Sequence, residues 1–263
     1  MKRTICLFDM DGTLTEARKK IQPDMVAALK ELSEYTDIGI VTGSDFDYII
    51  QQCGVLFETN GVDDDKIQLF PCNGTKHYVV SENQFTITHD SDMLSEIKQE
   101  NYNYLLQSLF AFQLMITLKH NVTFSGTFFQ YRGTMLNWCP IGRQAGDDAR
   151  SQWETEDEEY GIRNYFLEQI KDVIKSKELN LTVALGGSTS FDIYPIGWDK
   201  TYVMNHLEKF NKVFFVGDRC QEGGNDKALY DLLSGEQASF ETTGPEQTLE
   251  IINNIIKEIK EDG

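Results

Sequence analysis

Thr4-Ile5-Cys6-Leu7-Phe8-Asp9-Met10-Asp11-Gly12-Thr13-Leu14-Thr15 is the stretch on which the reading of this chain turns. Its first five residues are short, apolar and uninterrupted, the pattern of a strand buried on both faces of a parallel sheet. A carboxylate at the carboxyl end of such a strand lies where open α/β sheets bind ligands. Asp9 and Asp11 can converge on one site if the chain breaks from strand to loop between them, and Gly12 permits that break. Like charges held this close are costly without a cation between them, so a bound Mg²⁺ is expected. Taken alone, the two aspartates also fit an Asp-rich turn with Asp11 capping a helix.

Outward from this stretch the pattern alternates. Ile21 to Tyr35 reads as a helix, with Pro23 near its start and Met25, Leu29 and Leu32 on one face. Asp37 to Val41 reads as a second buried strand running into Thr42-Gly43-Ser44-Asp45, with a helix following through Cys53. Strand–helix–strand–helix order predicts a doubly wound α/β sheet.

The middle breaks that rhythm. Gln84 to Thr88 alternates, Met93 to Phe112 reads as helix, and Thr127 to Cys139 suits a hairpin broken at Arg132-Gly133. Glu154 to Lys177 reads as one long helix with an acidic first turn, and Leu181 to Leu185 and Ser190 to Tyr194 as strands. After Gly197 the first pattern returns. Trp198 to Phe210 reads as helix, Lys212 to Val216 as a strand ending in Gly217-Asp218, and Asn225 to Leu233 as helix. A last helix starts at Pro245, with Ile252, Ile255, Ile256 and Ile259 as its buried stripe. The expected organisation is a core split in sequence, residues 1–88 and 197–263, with an α+β insert at 89–196.

A formal charge of −18 argues against nucleic acid and membrane partners, because phosphate backbones and anionic lipids need a basic footprint. A small anionic substrate needs only a local basic site. The chain has seven arginines, and Arg132, Arg143 and Arg150 fall in one short segment. The planar fork of donors on arginine suits phosphate. No stretch is long and apolar enough for a bilayer, and Met1 to Phe8 reads as neither signal peptide nor anchor. The five cysteines and four histidines are scattered, which disfavours a disulfide framework or structural zinc and makes the cytoplasm the expected location.

Ile5 to Thr15 resembles the signature of the haloacid dehalogenase (HAD) superfamily of phosphotransferases, and the superfamily's other elements follow in order. A hydroxyl element falls at Thr42 or Ser44, a basic element at Lys200 in Gly197-Trp198-Asp199-Lys200, and an acidic element at Asp218, with Gly223-Gly224-Asn225-Asp226 beyond it. The insert narrows the resemblance. Gly126-Thr127-Phe128, Arg132, Met135-Leu136-Asn137, Pro140-Ile141-Gly142-Arg143, Gly186-Gly187, Ser190-Phe191-Asp192 and Pro195-Ile196-Gly197-Trp198-Asp199-Lys200 are similar to the eukaryotic-type phosphomannomutases.

The resemblance implies a HAD-like doubly wound Rossmannoid core with an inserted α+β cap domain. It implies interconversion of mannose 6-phosphate and mannose 1-phosphate through an aspartyl-phosphate and a hexose 1,6-bisphosphate activator, supplying GDP-mannose synthesis. In its terms Asp9 is the nucleophile and Asp11 the general acid/base, assisted by Lys200 and Ser44 (or Thr42). Arg18, Arg132, Arg143 and Arg150 bind phosphate, and Ser190 and Asp192 the sugar. Mg²⁺ is held by Asp9, Asp218 and the Asp11 backbone carbonyl, and the molecule is a homodimer through the cap. A sugar-phosphate phosphatase, or a glucose preference on the same scaffold, is the alternative. The chain departs from the family at Thr42, where glycine is usual, and at Leu232, where an acidic residue belongs to a secondary cation site; that site is not carried over.

Overall fold

The apolar run Thr4–Phe8 forms strand β1 of a computed structural model that describes residues 3–58, 62–81, 84–235 and 238–262. Then follow α1 (Pro23–Ser33), β2 (Asp37–Val41), α2 (Phe46–Cys53), β3 (Ile67–Phe70), β4 (Lys76–Ser81) and β5 (Gln84–Asp90). Next come α3 (Met93–Ile97), α4 (Gln99–Lys119), β6 (Phe129–Tyr131), β7 (Leu136–Trp138), α5 (Asp147–Tyr160), α6 (Ile162–Ser176), β8 (Leu181–Gly186) and β9 (Ser190–Pro195). The chain closes with β10 (Lys212–Gly217), α7 (Lys227–Ser234), β11 (Ser239–Glu241) and α8 (Pro245–Asp262). Two units result: Met1–Asp90 with Trp198–Gly263, and Ser91–Gly197.

The first unit holds a seven-stranded sheet of order β11-β10-β1-β2-β3-β4-β5, parallel from β11 to β3 and antiparallel beyond. Successive residues of a strand point to opposite faces, and both faces here are apolar. Cys6, Phe8, Ile38, Ile40, Phe214 and Val216 pack in a core with Met25 and Leu29 of α1, Ile49 of α2 and Ile252 and Ile255 of α8. Their neighbours Ile5, Leu7, Val41, Val213 and Phe215 pack on the other side with Val203, Leu207 and Leu229 of α7. Each such side chain contributes about 1.5–3 kcal/mol when fully buried. A strand that must fill two cores reads as an unbroken apolar run, which explains the sequence of β1, β2 and β10.

From β1 the chain steps to β2 and β3 along one side of the sheet, whereas β10 pairs with the other edge of β1. The carboxyl ends of β1 and β10 therefore lie side by side where the strand order reverses, the usual ligand position in such sheets.

The second unit has a four-stranded antiparallel sheet of order β6-β7-β9-β8. Trp138, Trp153, Phe166, Ile170 and Phe191 are buried in it. The Trp138 Nε1–H donates to Gln113 Oε1 at 2.7 Å, and Gln113 Nε2–H donates to the Pro140 carbonyl at 2.8 Å, so α4 is tied to β7 by polar as well as apolar contact.

Three expectations need correction. The single helix over 154–177 is two, α5 and α6, because Gly161 adopts a left-handed conformation (φ 63°) that ends one and starts the other. The helix over 93–112 is also two, divided at Lys98 (φ 66°), and the second runs on to Lys119. Trp198 to Phe210 holds a tighter 3-10 segment over Lys200–His206, with Asp199 capping the amide of Thr201. Strands β3, β4 and β11 were not read from the sequence; β3 and β11 are too short for periodicity to resolve. Among the described residues no helix is long and apolar enough to cross a membrane.

Candidate active site

Asp9 is the first residue past β1, and its amide donates to the Val216 carbonyl of β10 at 2.9 Å, which seats it beside Gly217-Asp218. Immediately after it the chain wraps on itself. The amides of Thr13, Leu14 and Thr15 all donate to the Met10 carbonyl, at 3.3, 2.9 and 3.0 Å, and the Gly12 amide to Thr15 at 2.7 Å. Gly12 needs φ +86° for that turn, which glycine alone adopts at little cost.

Lys200 reaches this point from the start of its 3-10 segment and is fully buried. Its Nζ donates to Asp9 Oδ1 and Asp226 Oδ1. The other oxygen of Asp226 accepts the Arg219 amide at 3.0 Å, so both of its oxygens are engaged. Burial pushes the Asp9 carboxyl up to about 8, with Lys200 opposing the rise and Asp226 adding to it. For Lys200 burial acts downward, but the Asp226 and Asp9 carboxylates outweigh it and hold the ammonium above its ordinary range. Asp218 is raised to about 6, by burial first and by Asp226 second.

Oxygens of Asp9, Asp218 and Asp226 lie within 4.8 Å of one another, and Asp218 Oδ1 is buried without a hydrogen-bond partner. An all-oxygen group with an orphaned buried carboxylate oxygen fits a hard divalent cation such as Mg²⁺. Because Lys200 and Arg219 occupy Asp226, the ligand candidates are Asp9 and Asp218.

The Asp11 side chain points elsewhere, toward α2. Its Oδ1 accepts the Arg18 amide at 2.9 Å, the Tyr48 hydroxyl at 3.3 Å and the Gln52 Nε2–H at 3.3 Å. Arg18 takes a left-handed φ of 64° in making its bond. Burial, followed by the Asp11 charge, raises the Tyr48 phenol to about 12, so it stays protonated and donates. Of the two hydroxyl candidates, Thr42 is buried and its Oγ1 accepts the Ser44 amide at 3.2 Å. Ser44 is half-buried and is the better placed to meet a ligand.

In the second unit Asn137 is the hub. Arg143 Nη1 donates to its Oδ1 at 2.9 Å, while its Nδ2 donates to Asp192 Oδ1 at 2.7 Å and Ser190 Oγ at 3.1 Å. Arg150 joins through Thr189 Oγ1 at 3.0 Å and the carbonyls of Ala145 and Arg143. A Cβ on Gly186 would stand 2.7 Å from Asp192 Oδ2, so glycine there leaves room for the two polar side chains. Arg132 sits in the β6–β7 turn, its amide donating to the Met135 carbonyl at 2.9 Å. Four of the expected ligand-binding residues, Arg143, Arg150, Ser190 and Asp192, are thus brought into one hydrogen-bonded group.

Sequence reasoning gave no role to Asp226, Tyr48, Gln52 or Asn137. Asp226 carried a local signal, an acid in a glycine-rich segment eight residues after Asp218. Tyr48 and Gln52 carried only their i, i+4 spacing on a short helix.

Residues 25–258 match the family described as eukaryotic phosphomannomutase. A phosphomannomutase of Nicotiana benthamiana is 36% identical over 245 residues, covering 93% of this chain and 91% of its own length. One from Spinacia oleracea is 35% identical over 259 residues, covering 98% and 97%. Among solved structures, IMP-bound Plasmodium falciparum IMP-nucleotidase aligns with a TM-score of 0.64 at 13% identity, over 97% of this chain and 68% of that one. A trehalose-6-phosphate phosphatase related protein aligns at 0.55 and 12%, over 98% and 100%. At such low identity these two structures speak to the fold alone, which is the HAD fold. With a strand-end aspartate on a buried lysine, an arginine group on the inserted unit and phosphomannomutases alike over nearly its whole length, the chain belongs to the eukaryotic phosphomannomutase family.

Proposed function

We propose that the chain interconverts mannose 6-phosphate and mannose 1-phosphate by way of a phosphorylated Asp9 and a hexose 1,6-bisphosphate, in the cytoplasm and ahead of GDP-mannose synthesis. The observation that favours a mutase over a phosphatase is the insert's arginine group, Arg143 and Arg150 gathered with Asn137 and Asp192. The phosphoryl-transfer chemistry rests on the buried lysine held between Asp9 and Asp226 at the switch point of the sheet. Such a lysine fixes one Asp9 oxygen and leaves the other to attack phosphorus.

In the forward step the Asp9 oxygen bonds to phosphorus, the bond from phosphorus to the sugar oxygen breaks, and that oxygen leaves with the electron pair. Asp11 supplies the proton it needs and takes one back from the hydroxyl that attacks the phosphoaspartate in return. Lys200 keeps Asp9 oriented and Ser44 donates to the transferring group. Arg143, Arg150 and Arg132 hold the phosphate that does not react, and Arg18 assists; Ser190 and Asp192 engage sugar hydroxyls. Asp9, Asp218 and the Asp11 backbone carbonyl would hold Mg²⁺, which would supply counter-charge to the transferring phosphoryl group. The buried, orphaned Asp218 oxygen supports that assignment.

The ligand in this reading is a hexose phosphate, not nucleic acid or a membrane, in keeping with the formal charge of −18. A homodimer through the insert is supported by Phe110, Leu114 and Leu118, an exposed apolar row at i, i+4 and i+8 of α4. Five buried free thiols suit a reducing compartment.

The test is incubation with mannose 1-phosphate, with and without a hexose 1,6-bisphosphate, following both isomer and free phosphate. Mannose 6-phosphate formed only when the bisphosphate is present supports the mutase reading. Stoichiometric phosphate release without isomer would replace it with a phosphatase.

A further inference from the structure

We propose that Tyr48 is a positioning residue for the general acid/base: its hydroxyl anchors one oxygen of Asp11 so that the other oxygen carries the proton to and from the sugar. The inference rests on the assignment of Asp11 given above.

A carboxyl group that shuttles a proton has two oxygens and two rotational degrees of freedom. If both oxygens are free, the proton sits on either and the group presents it in many directions. Here the two oxygens are treated differently. Oδ1 collects three donors, the Arg18 amide at 2.9 Å, Tyr48 Oη at 3.3 Å and Gln52 Nε2 at 3.3 Å. No described residue donates to Oδ2. A proton on Oδ1 would collide with three donors, so the acid form carries its proton on Oδ2.

The anchors are themselves fixed. Gln52 is buried, and its Oε1 accepts the Thr15 hydroxyl at 2.9 Å, which settles which end of the amide faces Asp11. Tyr48 lies one helical turn before it on α2, so the two side chains leave the same face of the helix. The carboxylate of Asp45 accepts the Tyr48 amide at 3.1 Å as the helix cap, holding the start of α2. The ring of Tyr48 packs against the core that lies on the α1 and α8 side of the sheet, and its hydroxyl reaches Asp11. Packing and anchoring are thus divided between different atoms of one side chain, and Tyr48→Phe removes the second while keeping the first.

The test is rapid-quench measurement of Asp9 phosphorylation in Tyr48→Phe with two donors. A hexose 1,6-bisphosphate releases a sugar oxygen that needs a proton; p-nitrophenyl phosphate releases a phenolate that does not. Loss of one hydrogen bond to a charged group should slow the first about tenfold and leave the second within about twofold. The concentration of the bisphosphate for half-maximal rate should stay within about twofold, since the anchor acts on the proton and not on binding. A merely structural tyrosine would slow both donors alike, and that result, or no loss with either, overturns the proposal. Asp11→Asn is run alongside. If it shows the split between donors and Tyr48→Phe does not, only the role of Tyr48 falls. If Asp11→Asn shows no split, the assignment of Asp11 falls first. In the Asp11→Asn background, adding Tyr48→Phe should change neither rate further.

Discussion

Gly12 and Asp218 are packed so closely that a Cβ on Gly12 would overlap the Asp218 carboxylate, standing 2.6 Å from its Cγ. The turn after Asp9 and the acid beside it are therefore one construction. Gly12→Ala adds a methyl where φ is +86° and where the expected metal ligand already stands. Asp218 must swing aside, so the Mg²⁺ concentration for half-maximal activity should rise about ten- to a hundredfold, as when a ligand's support is removed. Activity titrated with MgCl₂ checks this, with circular dichroism confirming the fold. An unchanged Mg²⁺ requirement would separate Asp218 from the metal.

Asp226 neutralises a lysine that has no access to water. Asp226→Ala leaves Lys200 with Asp9 alone, and breaking a buried ion pair costs about 3–5 kcal/mol. Urea unfolding should show that loss, while Asp226→Asn, which keeps a hydrogen-bond acceptor, should lose less. A midpoint for Asp226→Ala equal to wild type would mean that Asp9 suffices to hold the lysine.

Arg143 holds its guanidinium on Asn137, the residue that also orders Ser190 and Asp192. Arg143→Ala should lower isomerisation of mannose 1-phosphate about ten- to a hundredfold through one lost charge-assisted contact. Hydrolysis of p-nitrophenyl phosphate, which has no second phosphate to grip, should be spared. Paired kinetics on one preparation decide the matter, and equal losses would place the damage outside phosphate recognition.

His77 stacks on Phe70 with its ring nitrogens 3.0 Å from Gln68 Oε1 and 2.9 Å from Thr88 Oγ1. Burial, reinforced by His206, Lys209 and His89, lowers it from 6.5 to about 4. Between those values the unfolded chain binds more protons than the folded one. The neutral imidazole thus contributes stability that is complete above about pH 6.5 and lost as pH falls toward 4. Asp9 and Asp218, raised in the metal-free protein, act in the opposite sense over much of the same range, so the informative quantity is a difference. Metal-free His77→Gln should lose less stability than wild type when urea unfolding is repeated from about pH 7 down to about pH 4.5. Parallel curves would remove His77 from the acid response.

The local pattern of the chain determined much of the fold. Residues 5–8, 38–41 and 213–216 announce themselves because a strand filling two cores leaves no place for polar side chains along its interior. Asp9, Asp11, Lys200 and Asp218 were legible because each follows a strand or opens a helical segment, so its place relative to the backbone is set by neighbours in sequence. Helix breaks were less legible: at Lys98, and again at Gly161, a single left-handed residue divides one helix from the next, which hydrophobic spacing does not register. Tertiary structure decided what depends on atoms brought together across the sequence. Asp226 becomes the second partner of Lys200 only because its segment folds over β10, and a Cβ on Gly217 would stand 2.7 Å from its Oδ2. Tyr48 and Gln52 meet Asp11 across 37 and 41 residues. Asn137 joins Arg143 to Asp192 because β7 and β9 pair with Asn137 opposite Asp192. Hydrogen bonds reach about 3 Å, and no residue pattern along a chain states which side chains long-range folding will bring within that reach.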